Sequence, residues 1–349
     1  MAASKTDIKN LTRRQLALWL EGRGIQAYRA GQILRWVHQR QADSFAGMSD
    51  LGLSLREMLA REFSIERLTV ERRETSGDGT MKVLFGLADG KRIETVLIPE
   101  RNHYTLCVSS QVGCALGCRF CLTGKGGLER NLSAGEIVAQ VRDVIRDLPG
   151  PMGLTNIVFM GMGEPLANFG NLIAALEILT DNGAGYSFAG RRITVSTAGI
   201  VPKIPELGQR ATANLAVSLN AADNDTRSRL MPINRTYPIE ALIDACTRYP
   251  LRPHRRITFE YILLKGINTG DEHARRLVKL LRPVRAKVNL IPFNRHEGSP
   301  FEEPSEADIL RFQEILLKAH YTAVVRRSKG RDISAACGQL RGAFRSEGG

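Results

Sequence analysis

Three cysteines, Cys114, Cys118 and Cys121, crowd into the segment GCALGCRFC. Thiolates at this Cys-x3-Cys-x2-Cys spacing can each take one iron of a 4Fe-4S cubane. With no fourth cysteine nearby, one iron stays open to another ligand. Zinc is the alternative chemistry and requires a fourth Cys or His; His103 is available, but it precedes the strand before the loop. Gly113 and Gly117 would let the chain wrap closely around a cluster. The remaining cysteines stand apart: Cys107 just before the loop, Cys246 in PIEALIDACTRYP and Cys337 near the carboxyl end. Their ordinary role is that of small buried residues, and Cys246 keeps it. Glu94 is also out of place, sharing a strand face with Val96 and Ile98. Either it points into a site, where burial would make it a better base, or it pairs with Arg92 on the same face.

Such groups need a scaffold. Residues 8–65 have helical periodicity, with Leu16, Trp19 and Leu20 on one face and Ile33, Leu34, Trp36 and Val37 grouped in a second segment. This predicts a helical domain over residues 1–70. The run MKVLFGLADGKRIETVLIP, Met81 to Pro99, predicts two strands joined by an Asp-Gly turn, a β-hairpin extension over 71–101. Strand-like runs follow at 104–109, 155–160, 192–197, 214–219, 257–263 and 286–292. Between and after them lie helical stretches that include 134–147, 170–180, 238–248, 271–281 and 305–319. Alternation of this kind predicts an α/β fold around a parallel sheet, either doubly wound or a full or partial barrel. At the carboxyl ends of the predicted strands stand Gly161-Met162-Gly163-Glu164-Pro165, Ser196, Ser218-Leu219-Asn220 and Asn294. Active sites of barrels assemble there, so these residues should converge on the cysteine loop. Taken singly, each is also common strand-to-helix punctuation.

Lys and Arg number 49 against 36 Asp and Glu, a formal net charge of +13 over 349 residues. That balance favours a polyanionic partner, nucleic acid first, through counterion release. Arg13, Arg14, Arg23, Arg29 and Arg35 either contact RNA or form a solvated face, and the same choice holds for Arg326, Arg327, Lys329 and Arg331 ahead of Cys337. The start MAASKTDIKNLTRRQ lacks the apolar run of a signal peptide, and no stretch nears the roughly 20 apolar residues that span a bilayer. A cytoplasmic protein without a membrane partner is expected, and with it no disulfide framework. Nothing in the sequence sets the oligomeric state.

The segments CVSSQVGCALGCRFCLTGKGGLERNL, GMGEPLAN, VSTAG, SLNAADNDTRSRLMPINR, NLIPFN and RRSKGRDISAACGQL span most of the chain. Together they resemble the RlmN/Cfr family of radical S-adenosylmethionine RNA methyltransferases. The resemblance implies a partial (β/α)6 parallel barrel over 102–341, and the residues after it, 342–349, read as a flexible tail. It implies a 4Fe-4S cluster held by Cys114, Cys118 and Cys121, and S-adenosyl-L-methionine contacted by Gly163, Glu164, Ser196, Ser218, Leu219, Asn220 and Asn294. The methionine amino and carboxylate groups of that cofactor would chelate the open iron, and its reductive cleavage would yield a 5'-deoxyadenosyl radical. By the same resemblance Cys337 is the methyl-carrying cysteine, Cys107 the resolving thiol and Glu94 the proton acceptor. Asn220 departs from a pattern in which His is frequent.

A radical route suits the implied target, because the adenine carbon between two ring nitrogens is electron-poor and does not attack an electrophilic methyl group. The implied reaction is methylation of adenosine at C2, in 23S rRNA near the peptidyl-transferase centre and in tRNA next to the anticodon. It calls for an electron-transfer reductant such as flavodoxin and a thiol reductant. Cfr-type methylation at C8 uses the same parts, and the residues alone do not separate the two. A nonenzymatic basic RNA-binding protein with a structural zinc or cluster would explain the charge and three cysteines, yet leave Cys107 and Cys337 idle.

Overall fold

The structure, a computed structural model, describes residues 5–296 and 298–342. Two short strands, β1 (Thr6–Asp7) and β2 (Phe63–Ser64), pair in parallel at the ends of a helical unit. Its helices are α1 (Arg13–Glu21), α2 (Arg29–His38) and α3 (Leu53–Glu62). A capping box between Thr12 and Gln15 starts α1 by satisfying backbone donors that the first turn leaves unpaired. Leu16, Leu20, Ile33, Leu34, Val37, Leu59 and Phe63 build a core separate from the main one. Trp19 and Trp36 are only partly buried, with Arg23 stacked 3.9 Å from one ring centroid and Arg40 4.2 Å from the other.

The main sheet begins with β3 (Thr69–Thr75), β4 (Met81–Gly86) and β5 (Arg92–Pro99), all antiparallel, followed by β6 (Tyr104–Cys107). A short pair, β7 (Gln111–Gly113) and β8 (Leu128–Asn131), brackets the small helix α4 (Leu122–Lys125). Beyond it come α5 (Ala134–Arg146), β9 (Leu154–Phe159), α6 (Phe169–Thr180), β10 (Ile193–Thr197), α7 (Lys203–Arg210) and β11 (Asn214–Ser218). The chain continues through α8 (Asn224–Leu230), α9 (Ile239–Thr247), β12 (Ile257–Leu263), α10 (Asp271–Leu281), β13 (Ala286–Pro292), α11 (Glu306–Lys318) and β14 (Thr322–Val325).

The strand order is β3-β4-β5-β6-β9-β10-β11-β12-β13-β14, and β6 and β9 through β14 run parallel. The sheet is therefore open, with β3 and β14 at its edges, as a partial barrel requires. Val195, Leu215, Val217, Phe259 and Val288 are buried, the pattern of parallel strands covered on both faces.

The six expected parallel strands form within a residue or two of their predicted bounds. Two strands of the main sheet escaped prediction, as did the short pairs β1–β2 and β7–β8 outside it. β14 adds a seventh parallel strand from only four residues, too few for a pattern to register. β3, TVERRET, joins the hairpin as a third strand but is charged and mostly exposed, so hydrogen bonding to β4 rather than apolar alternation defines it. The β4–β5 turn does use Asp89-Gly90, with Gly90 at φ +78°.

Helix α5 ties the helical unit to the sheet: buried Arg142 donates to the Val37 carbonyl at 3.2 Å and the Ala42 carbonyl at 2.7 Å. Among the described residues no helix is long and apolar enough to cross a membrane. The tail expected over 342–349 lies, past Gly342, outside the described residues.

Candidate active site

The cysteine loop leaves β7 at Gly113, whose φ of +75° and close approach to the Gly127 carbonyl exclude a side chain: a Cβ there would sit 2.0 Å from that oxygen. Gly117, at φ +63°, turns the loop again between Cys114 and Cys118. Cys121 then caps α4, and the Leu122 amide donates to the Gly338 carbonyl at 2.8 Å. That bond fastens the loop to the segment carrying Cys337.

The loop after β9 presses on the chain just after β6. A Cβ on Gly163, at φ +100°, would lie 2.5 Å from Cβ of Gln111. The Gln111 side chain accepts from the Glu164 amide at 2.8 Å, which sets the backbone of that loop. Buried Glu164 accepts in turn from the amides of Leu166 at 3.0 Å and Ala198 at 2.8 Å. Burial pushes its carboxyl upward, and these hydrogen bonds oppose the push without cancelling it. Ser196 is the penultimate residue of β10 and Ser218 the last of β11.

These elements surround a cleft that opens to solvent, the concave kind of site in which small ligands bind. Cys114, Cys118, Cys121, Gly163 and Glu164 line it, together with Ser196, Ser218, Asn220 and Cys337. Cys337 comes from far along the chain, held there by the Asn294 amide, which donates to its carbonyl at 3.1 Å.

Four expected site residues lie outside this lining. Leu219 is fully buried, and its amide donates to the Glu260 carbonyl at 2.9 Å. The amide of Asn294 is occupied by Ser328 and Cys337, and its oxygen accepts from Arg331 at 3.1 Å. Cys107 is buried at the end of β6, where its thiol feels the charge of Cys337. Glu94 is buried on β5, where one carboxylate oxygen accepts from the amides of Arg341 at 2.7 Å and Gly342 at 3.0 Å, and the other lies 3.3 Å from Lys82. The alternative partner, Arg92, instead pairs with Glu71 at 2.6 Å.

Asn220 sits at φ +60°, a left-handed conformation that Asn tolerates better than most residues. Its side-chain oxygen accepts from the Ile262 amide at 2.8 Å, so it bridges the ends of β11 and β12. Three of the four basic residues before Cys337 face acidic partners: Arg327 with Glu306, Lys329 with Glu100 and Arg331 with Glu303. Cys246 is buried in α9.

Sequence reasoning missed Glu260, a buried carboxylate on β12 that lines the cavity and accepts from the Ser196 hydroxyl at 3.0 Å. A lone acid inside the apolar run ITFEYIL was the available signal. Burial raises its carboxyl, against the Ser196 hydrogen bond.

The thiols follow the same logic. Burial pushes Cys114 up to about 11 and raises Cys118 further, and their neighbouring thiolates add to this. Cys337 is likewise pushed up to about 11, first by the surrounding protein and then by the Glu260 charge. Its side chain nonetheless presents surface to the cavity, so it is enclosed by protein yet reachable by solvent and ligand. Burial raises Cys107 strongly as well.

The donor set discriminates between metals. Among the described residues, no three His, Cys, Asp or Glu side chains converge closely enough to hold one metal ion. Tetrahedral zinc at about 2.3 Å from each sulfur would draw thiolates to within roughly 4 Å of one another, whereas a cubane gives each thiolate a different iron and keeps them apart. His103 cannot complete a zinc site, because it lies ahead of β6 against Asn156, at the other end of the strand from the loop. Cys114, Cys118 and Cys121 all line the same cavity, which suits a cubane that gives each thiolate its own iron.

Comparison with known proteins agrees with this chemistry. Residues 108–280 match the family model described as the radical SAM superfamily, and residues 6–65 match the ribosomal RNA large subunit methyltransferase N-terminal domain. The dual-specificity RNA methyltransferase RlmN of Desulfosudis oleivorans is 54% identical over 334 residues, covering 96% of this chain and 90% of that protein. The protein of the same name from Geobacter sulfurreducens is 54% identical over 336 residues, covering 96% and 92%. A radical SAM methyltransferase of Sphaerobacter thermophilus, solved by crystallography, superposes with a TM-score of 0.90 at 46% identity over 97% of this chain and 100% of that one.

Proposed function

The chain belongs to the RlmN family of radical S-adenosylmethionine RNA methyltransferases, and we propose that it methylates adenosine at C2 with Cys337 as the methyl carrier. Its RNAs are 23S rRNA near the peptidyl-transferase centre and tRNA next to the anticodon. It is an enzyme whose cofactors are a 4Fe-4S cluster and S-adenosylmethionine. Cys114, Cys118 and Cys121 hold the first, and Gly163, Glu164, Ser196, Ser218 and Asn220 line the space for the second. When bound, the pair supplies a methyl group and a radical able to take a hydrogen atom from a methyl carbon.

The observation that carries this reading is the position of Cys337, open to the same cavity as the three cysteines of the loop and backed by Cys107. Cys337 accepts the methyl group and presents its carbon to the base. Once that carbon is bonded to adenine, the ring proton has left to Glu94 and the one unpaired electron left by radical addition has been returned to the electron-transfer chain that serves the cluster, Cys107 resolves the adduct. Its thiolate attacks the Cys337 sulfur, a sulfur–sulfur bond forms and the bond from Cys337 sulfur to carbon breaks. The electron pair of that bond stays on carbon, which takes a proton to become the methyl group. A thiol reductant then restores both cysteines, and an electron-transfer protein such as flavodoxin serves the cluster. We place this work in the cytoplasm, where ribosomes and tRNA are found.

The test is a denaturing gel with labelled RNA. Cys107→Ala, with its cluster assembled, should accumulate a covalent protein–RNA adduct because no thiolate is positioned to release it. Cys337→Ala should form none. An adduct in the Cys337→Ala lane, or its absence with Cys107→Ala, would reverse the roles. Mass spectrometry of digested wild-type product should find C2-methyladenosine, and C8-methyladenosine alone would overturn the assignment.

A further inference from the structure

Arg227, on α8, is fully buried, and among the described residues no carboxylate pairs with it. Its donors go to neutral acceptors: Nε to the Leu219 carbonyl at 3.1 Å, Nη1 to Oδ1 of Asn234 at 3.0 Å, and Nη2 to the carbonyls of Ala198 at 2.6 Å and Ser218 at 3.3 Å. Burial lowers its pKa to about 10, opposed by the Cys118 thiolate. Burying a cation without an anion is costly enough that proteins seldom do it. An external anion resolves the imbalance.

Two contacts place that anion. The Arg119 amide, inside the cysteine loop, donates to the Leu230 carbonyl of α8 at 3.0 Å. Phe120, Leu230 and Met231 form one apolar cluster, with Cys118 packed against it. The guanidinium thus stands behind the loop that carries the thiolates. Its carbonyl acceptors meanwhile belong to the ends of β10 and β11, where Ser196 and Ser218 line the cavity. A Cβ on Gly199 would already lie 3.4 Å from Nη2, so the fork fills its space.

We propose that Arg227 is the buried counter-ion of the iron-sulfur cluster and the positioning residue that holds the ends of β10 and β11 for S-adenosylmethionine. The inference rests on the cofactor assignment above. Three thiolates outweigh the positive charge of a cubane core, so the assembly is anionic and becomes more so on reduction. A fixed cation nearby favours the reduced form and raises the potential. A merely structural hydrogen-bonding hub would leave the potential where it is.

The experiment is a redox titration of the anaerobically reconstituted holoenzyme, followed by electron paramagnetic resonance. Arg227→Met should lower the ratio of reduced to oxidised cluster at a given potential about tenfold, equivalent to about 59 mV for one electron. Arg227→Lys keeps the charge and should hold that ratio within about twofold. Its S-adenosylmethionine affinity should still fall, because an ammonium cannot reproduce the planar fork. A methionine variant that titrates with wild type overturns the counter-ion role, and a lysine variant that binds S-adenosylmethionine normally overturns the positioning role.

Should Arg227→Met not fold, Asn234→Asp decides: it places a carboxylate where Oδ1 already lies 3.0 Å from Nη1, cancelling the charge in the same shape, though without the donations that Nδ2 makes to Asn224 and Ser228. The ratio should fall again, and an unchanged ratio overturns the proposal. A wild-type protein that assembles no four-iron cluster would strike the cofactor assignment itself, which separates the two failures.

Discussion

Glu94 anchors the chain beyond Cys337, and the strength of that anchor can be worked from its contacts. Its carboxylate receives the amides of Arg341 and Gly342 at 2.7 and 3.0 Å. Hydrogen bonds to a charged group contribute about 1.5–3 kcal/mol each. Because Arg341 is exposed and Gly342 only half-buried, their freed amides regain water, and the net loss in Glu94→Ala should be about 2–4 kcal/mol rather than the full sum. Lys82 retains Glu74 at 3.0 Å, so no cation is stranded. At about 1.4 kcal/mol per decade, local opening of the segment rises about 30- to 700-fold. Glu94→Gln keeps an oxygen for the same amides but not the charge, and should lose about 1–2 kcal/mol, about 5- to 30-fold.

Hydrogen exchange at the Arg341 and Gly342 amides, and at Leu122 whose amide holds Gly338, reads these factors directly. Unchanged exchange in Glu94→Ala, or equal exchange in the Ala and Gln variants, would refute the anchoring argument. The proton-acceptor role proposed for Glu94 has a separate signature: slower product formation by Glu94→Gln, beyond what the modest opening explains.

Gly163→Ala should keep the fold but weaken S-adenosylmethionine binding at least tenfold by equilibrium dialysis, because its Cβ would fall 2.5 Å from Cβ of Gln111 in a left-handed backbone; wild-type affinity would show that the loop yields freely. Asp78 accepts from the Gly330 amide at 2.9 Å, joining the β3–β4 turn to the segment before Cys337. Burial there acts to raise its carboxyl, but hydrogen bonds from Thr80 and Gly330 prevail and hold it at about 2, below its usual 3.8. The folded group is the stronger acid, so its stabilisation is complete above about pH 4 and is lost as pH falls through about 2. Protection of the Gly330 amide should fall across that window in wild type and stay flat in Asp78→Asn, and a flat wild-type profile would count against the link.

The local chemistry was legible in the sequence wherever neighbours in the chain do the work. The spacing of Cys114, Cys118 and Cys121 sets which sulfurs can share a cluster, and Gly113 and Gly117 announce the turns between them. Apolar runs marked β6 and β9 through β13, because strands buried on both faces must be apolar along their length. β3 left no such mark, since an exposed edge strand is held by backbone hydrogen bonds that charged side chains do not disturb. Only the tertiary structure decided what distant segments do to one another. It placed Cys337 in the cavity lined by the three loop cysteines, buried Cys107 at the end of β6, and bound Glu94 to the chain beyond Cys337. It also made a lone Glu260 conspicuous, and an Arg227 with no carboxylate partner among the described residues, because the field a charge feels is set by burial and by partners that sequence distance does not encode.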